Sequence, residues 1–198
     1  MQRLLNNAEN YVDEMLEGIY FAYPNQVTSV GNDLRCYVSK NVKPGKVGIV
    51  TGGGSGHLPL FLGYVGEGML DGCCIGGVFQ SPSADQILQT TAYVNQGAGV
   101  LYLFGNYSGD VMNFDMAEME DINVMQIAAG DDVASAAKEN SEKRRGVAGI
   151  VFLYKIAGAA AEAMLPLEEV YRLTQKAAEN TRSMGVALSS CIIPEIGK

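Results

Sequence analysis

The run Lys46-Val47-Gly48-Ile49-Val50-Thr51-Gly52-Gly53-Gly54-Ser55-Gly56-His57 constrains this chain more than any other stretch. Its first half is short, apolar and β-branched, the pattern of a strand buried on both faces. From Thr51 to His57 it becomes a loop with almost no side-chain bulk, so backbone N–H groups can come close to a ligand. The loop ends on His57, the only histidine in the chain. A lone histidine at an arbitrary position reads as a core residue. At the end of a glycine loop past a buried strand it reads as a binding group.

Two phosphate motifs are weak matches. A nucleotide P-loop ends on Gly-Lys-Ser/Thr, whereas Gly56 is followed by His57 and Leu58. The dinucleotide fingerprint fits Gly52 and Gly54 but needs glycine where His57 stands. A small, uncharged, polar ligand suits the loop better.

With 198 residues, 47% of them hydrophobic and 18% charged, the chain can bury a substantial core and is too apolar for disorder. One domain over 1–198 is expected. The net charge is −8, and basic residues cluster only at Lys143-Arg144-Arg145, which argues against nucleic acid and anionic membranes as partners. Every apolar run is interrupted before transmembrane length, and the N-terminus has no signal-peptide core. Cys36, Cys73, Cys74 and Cys191 lack metal-ligand spacing and read as buried, reduced thiols, so a cytoplasmic location is expected.

Leu4, Leu5, Ala8, Val12, Met15, Leu16 and Ile19 recur at helical spacing and predict an opening helix that stops before Tyr23-Pro24. Val27–Val30 and Arg35–Val38 read as edge strands or a hairpin. Further strands are expected at Cys73–Phe79, Val100–Phe104 and Asn123–Ala128, and a last one at Val186–Ile193. Between them, Ser81 as N-cap and Pro82 at the first helical position predict a helix with Ile87, Leu88, Thr91 and Val94 on its apolar face. Val111, Phe114, Ala117 and Met119 suggest another. Gly146–Ala163 is ambiguous: Ile150–Leu153 could be a strand, but the alanine-rich Ala157–Ala163 favours one long buried helix, and a further helix runs from Leu165 toward Met184. This rhythm implies an α/β fold with a mostly parallel sheet and helices on both faces.

Ligands in such sheets collect beyond the carboxyl ends of the strands. Two loops there carry chemistry: Gly52–His57 and Gly105–Asp110. Asp110 reads equally as a helix cap and as a carboxylate that accepts a hydroxyl proton. Asp131-Asp132 could hold a metal, although a solvated turn is the simpler reading. Arg144-Arg145 could neutralise a phosphate, with a solvated face as the default. Tyr102, Phe104 and Tyr107 read as core.

Further stretches extend the pattern over the whole chain. Thr51–His57 with Gly63-Tyr64-Val65-Gly66-Glu67-Gly68 resembles the substrate loop of dihydroxyacetone kinases. Phe79-Gln80-Ser81-Pro82-Ser83, Asn106-Tyr107-Ser108-Gly109-Asp110, Arg144–Gly149 and Ala187–Cys191 are similar to further motifs of that family, in order. The resemblance implies the N-terminal domain of the dihydroxyacetone-binding K subunit. It implies that Gly54, Ser55, Gly56 and His57 bind the triose and that Asp110 helps deprotonate the hydroxyl receiving phosphate, with His57 and Asp110 as the catalytic pair.

It also implies no metal and no cofactor on this chain. ATP or a phosphotransferase-system donor would sit on a partner subunit, and the assembly would be a homodimer. Leu58 stands where the family usually has an acid, and Gly105 where it usually has lysine. The family's second domain, whose histidine captures the ketone, lies outside these 198 residues, so a separate chain is one expected partner and activity of the chain alone is not expected. The alternative reading is a non-catalytic sensor or lipid-binding module of the same fold.

Overall fold

The computed structural model describes residues 5–117, 121–146 and 148–194. Six strands form one sheet: β1 (Val27–Val30), β2 (Asp33–Ser39), β3 (Gly48–Gly54), β4 (Gly72–Gly76), β5 (Val100–Gly105) and β6 (Val124–Ala129). Their order is β1-β2-β4-β3-β5-β6. The last four are mutually parallel, and the β1–β2 hairpin joins antiparallel to β4. The chain moves from β3 to β4 on one side, then crosses back to β5 on the other, which places a topological switch at β3.

Residue alternation assigns the two faces. Val38, Val50, Cys74, Tyr102 and Phe104 pack under α2 (Ala84–Val94) and α3 (Ser108–Met116). Ile49, Leu101, Leu103 and Ile127 pack under α4 (Ile150–Glu162) and α5 (Leu167–Asn180). On that second side α1 (Tyr11–Ala22) covers Tyr37, Cys73 and Ile75. The same alternation sends Cys73 and Cys74 to opposite faces, so neither can bridge the other. Burial pushes the Cys36 thiol up to about 11, which keeps it inert. Cys191, expected to be buried, is exposed.

Several boundaries differ from the expectations. The strand expected to stop at Val50 continues through the glycines, with Gly52, Gly53 and Gly54 in register with Cys74, Ile75 and Gly76. β4 ends at Gly76 because the chain folds back on itself there: a Cβ on Gly76 would sit 1.7 Å from the Gln80 carbonyl oxygen. The N-cap of α2 is Ser83, not Ser81. Ser83 Oγ accepts the Gln86 N–H at 3.3 Å while Gln86 Oε1 accepts the Ser83 N–H at 3.0 Å, a reciprocal capping box that Ser81 cannot make. α1 begins only at Tyr11, after a 3-10 turn over Ala8–Asn10, and α5 ends at Asn180. Leu4, Met119 and Val147 lie outside the described residues.

The strand expected at Val186–Ile193 does not form. After α5 the chain crosses the loop ends instead of running beside the edge strand. Ser183 N–H donates to the Asp131 carbonyl at 2.8 Å, and Val133 N–H to the Ser183 carbonyl at 3.0 Å. Among the described residues no strand pairs with Val186–Ile193, and Val186 and Leu188 are exposed. Among the described residues, no helix is long and apolar enough to cross a membrane.

The end of the sheet away from those loops is fastened by a buried ion pair. Lys46 Nζ donates to Asp71 Oδ2 at 2.6 Å, and the same oxygen accepts the Ile49 N–H at 2.9 Å. Both side chains are buried. Removing one partner of such a pair strands a charge in low dielectric. Lys46→Met is therefore expected to lower the unfolding free energy by about 3 kcal/mol at neutral pH. Urea denaturation monitored by circular dichroism measures this, and a loss below about 1 kcal/mol would mark the pair as effectively solvated.

Candidate active site

The carboxyl ends of β3, β4 and β5 converge on a cleft of about 310 Å³. Gly54 and His57 enter it from the end of β3, Phe79, Gln80 and Ser81 from the turn after β4, and Tyr107 and Asp110 from the start of α3. Arg145 reaches it from the segment before α4, and Phe61 closes one side.

The glycines make this convergence possible. A Cβ on Gly53 would lie 2.2 Å from the Phe61 ring, and one on Gly54 would lie 2.7 Å from the Val78 carbonyl oxygen. The turn after β3 is hydrogen-bonded to the turn after β4: Ser55 N–H donates to Gly77 O at 3.0 Å, and Gly56 N–H to Val78 O at 2.6 Å. Those two amides, expected to face a ligand, serve the fold instead. Ser55 is buried, and its hydroxyl has no hydrogen-bond partner among the described residues. Gly56 lines a different cavity, with Val78, Phe79 and residues of the 189–194 segment. Of the five residues singled out in the sequence, Gly54, His57 and Asp110 line the cleft, while Ser55 and Gly56 stand behind it.

The His57 ring packs edge-on against Phe61 and Phe79, with centroids 6.0 and 5.5 Å away. Partial burial between these rings pushes the imidazole below its usual range. At pH 7 it is neutral and can exchange hydrogen bonds without carrying charge.

Asp110 is the third residue of α3, whose N-cap is Tyr107, so the capping role expected for the carboxylate is not the one it plays. It is only 7% exposed, and its Oδ1 has no hydrogen-bond partner among the described residues. Burial raises its pKa, opposed by a hydrogen bond with Ser81. A carboxylate shifted upward is a better base than a solvated one. Ser81 is free for this because Ser83 caps α2.

The acidic pair on the third loop is buried rather than solvated. Asp131 accepts the Gly149 N–H at 2.9 Å and the Ser183 hydroxyl, tying the start of α4 to the segment after α5. Asp132 accepts the Ala134 N–H at 3.0 Å and pairs with Arg145 at 3.2 Å. Arg144, expected on a solvated face, is buried and donates to the Ala136 carbonyl. Asn106 donates to the carbonyls of Glu142 and Arg144, both at 2.8 Å, and so draws the arginine segment to the cleft. Tyr102 and Phe104 are core as expected, but Tyr107 lines the cleft. Sequence reasoning missed Phe79, Ser81 and Tyr107 as lining residues. Gln86, three positions after Ser83, was the available sign that Ser81 was not the cap.

Two outcomes follow. The single imidazole should titrate below 6.5 in the folded chain, as followed by proton NMR, and return to the ordinary histidine range in urea. Gly54→Ala must displace the backbone at Val78 and Phe79, so it is expected to destabilise the chain by about 1–3 kcal/mol and to weaken any ligand held by the cleft. Thermal denaturation with ligand titration reads both effects.

The Dak1 domain family matches residues 17–198. The chain is 45% identical over 201 residues to "PTS-dependent dihydroxyacetone kinase 1, dihydroxyacetone-binding subunit DhaK" of Listeria innocua, covering 100% of this chain and 61% of that protein. It is 42% identical over 199 residues to an L-erythrulose 1-kinase of Mycolicibacterium smegmatis, covering 98% of this chain and 34% of that one. The crystal structure of the dihydroxyacetone kinase of C. freundii superposes with a TM-score of 0.89 at 37% identity, over 98% of this chain and 36% of the other. The chain thus spans about three fifths or less of the length of these relatives. With its mixed six-stranded sheet and a family match running almost from end to end, the chain belongs to the Dak1 domain family.

Proposed function

We propose that this chain is the substrate-binding part of a dihydroxyacetone, or closely related ketose, kinase. The observation that carries this reading is the cleft, which His57 and Asp110 line together, Asp110 carrying a buried oxygen with no hydrogen-bond partner among the described residues. A ketose of three or four carbons is uncharged, small and rich in hydroxyls, which matches a cleft of about 310 Å³ with few charged groups. The names of the relatives, one for dihydroxyacetone and one for erythrulose, span the same substrate class.

In this reading His57, neutral and fixed between two aromatic rings, hydrogen-bonds the sugar. Asp110 takes the proton of the terminal hydroxyl as that oxygen attacks phosphorus, and the donor's bond to phosphorus breaks with its electron pair leaving on the donor. The glycine run offers no lysine-bearing phosphate loop, so the donor, ATP or a phosphotransferase-system phosphoprotein, belongs to a partner subunit. Covalent capture of the ketone needs a nucleophilic nitrogen. In this reading His57, the only imidazole of the sequence, hydrogen-bonds the sugar, so a partner carrying the family's second domain would supply one.

Asp110→Asn keeps the shape of the side chain and removes its basicity. It is expected to retain ligand binding and to lower turnover of the reconstituted enzyme by about 10²–10⁴-fold. The test is a kinase assay on the purified chain with dihydroxyacetone or erythrulose, with and without a second-domain chain and a donor subunit, alongside calorimetry. The chain alone with ATP is expected to give no turnover. Full turnover by the asparagine variant would remove Asp110 from the chemistry. Binding of a fatty acid in preference to either ketose would favour a non-catalytic module instead.

A further inference from the structure

Arg145 is the one arginine or lysine lining the cleft among the described residues. Its side chain is 57% exposed, yet it is not placed like a free surface arginine. Its backbone N–H donates to Ser135 Oγ at 3.0 Å, and its carbonyl accepts the Asp132 N–H at 2.9 Å. One guanidinium nitrogen, Nη2, donates to Asp132 Oδ2 at 3.2 Å. Asp132 is itself buried and anchored by Ala134. A guanidinium has five N–H donors in a planar fork, and the contact with Asp132 leaves most of them for something else.

The neighbouring backbone has the same sign. Among the described residues α3, like α1, α4 and α5, has no side-chain cap hydrogen bond at its N-cap, Tyr107, so no cap side chain takes up the amides of its first turn. Tyr107 and Asp110, from that turn, line the cleft beside Arg145. A fork anchored on a buried carboxylate and an uncapped helix start together suit a tetrahedral oxyanion. An uncharged sugar has no need of either.

We propose that Arg145 and the first turn of α3 form a phosphoryl-binding subsite of the cleft, which receives the phosphoryl group during transfer and holds the phosphate ester that results. This rests on the kinase reading above for what the phosphoryl group is attached to. The charge balance is consistent. Before transfer the carboxylate of Asp110 is negative and the ketose neutral. As the hydroxyl proton moves to Asp110, that side chain becomes neutral while the new oxygen–phosphorus bond brings negative charge beside Arg145.

The single histidine supplies the reporter, because His57 shares the cleft with Arg145. Dihydroxyacetone, dihydroxyacetone phosphate and inorganic phosphate are titrated separately into the purified chain, and the His57 proton resonance is followed by NMR. Wild type is expected to bind the phosphate ester. Arg145→Gln should lower the ratio of ester affinity to dihydroxyacetone affinity by roughly ten- to a hundredfold, the range for losing hydrogen bonds to a charged group. Arg145→Lys keeps the charge and an ion pair with Asp132 but loses the fork. It should lower the same ratio by a few fold, and it carries the test if the glutamine variant fails to fold.

An unchanged ratio in the folded variants overturns the subsite while leaving the ketose reading intact. Arg145-dependent binding of inorganic phosphate with no response to dihydroxyacetone supports the subsite and sinks the ketose reading. No response to any of the three probes sinks both.

Discussion

The site depends on one steric constraint, the absence of side chains along Gly52-Gly53-Gly54. These residues continue β3 in register with β4, so the strand is extended and fully buried to its last position. On one face a Cβ at Gly52 would press on Pro82 and Phe114. On the other, a Cβ at Gly53 would occupy the ring of Phe61. The bare strand lets the start of α2, the core of α3 and the Phe61 segment all approach the same few atoms. Close packing of this kind leaves little room for adjustment, because interiors sit near crystal density. The glycines therefore act first on packing, and through packing on where the cleft lies.

The electrostatics of the cleft follow from a second layer of buried acids. Asp131 and Asp132 are spent on structure: one joins the start of α4 to the segment after α5, and the other orients Arg145. Asp110 differs in kind, with one oxygen carrying no hydrogen bond among the described residues and the other group at hand being Ser81. Burial raises the pKa of Asp110, and a carboxylate left partly bare is kept reactive. Burial raises the pKa of Asp71 as well, so the two ends of the sheet differ in the partners their acids have. Asp71 is bonded to Lys46 and Ile49 at the amino ends of the strands, and Asp110 waits at the carboxyl ends.

The fold class, the parallel core strands, the hairpin and the positions of the helices were legible in the sequence. Each depends on local alternation or on a 3.6-residue period that neighbouring residues carry themselves. Val100–Phe104 is the clear case, whereas Gly146–Ala163 left strand and helix open until α4 formed. The failures fell where local pattern and tertiary environment disagree. Val186–Ile193 has strand composition but no strand beside it to pair with, since the preceding bridge at Ser183 directs the chain across the loops. The glycines looked like loop because glycine is a poor strand former, and only the crowding on both faces explains their extended backbone.

By itself the sequence determined that a lone histidine and a carboxylate would stand at the ends of two strands of one parallel sheet. Strand direction and connection length alone put both loops at the same edge. Tertiary structure decided which of the nearby groups face the cleft. Ser55 and Gly56 turn away because their amides are taken by Gly77 and Val78, residues more than twenty positions on, and no local signal announces that pairing. Ser81 faces in because Ser83 completes the capping box. Arg145 faces in because a buried Asp132 holds its guanidinium and Asn106 draws its segment close. A side chain's hydrogen-bond partners at long sequence separation are settled only when the chain is packed, and at this cleft those partners decide the chemistry.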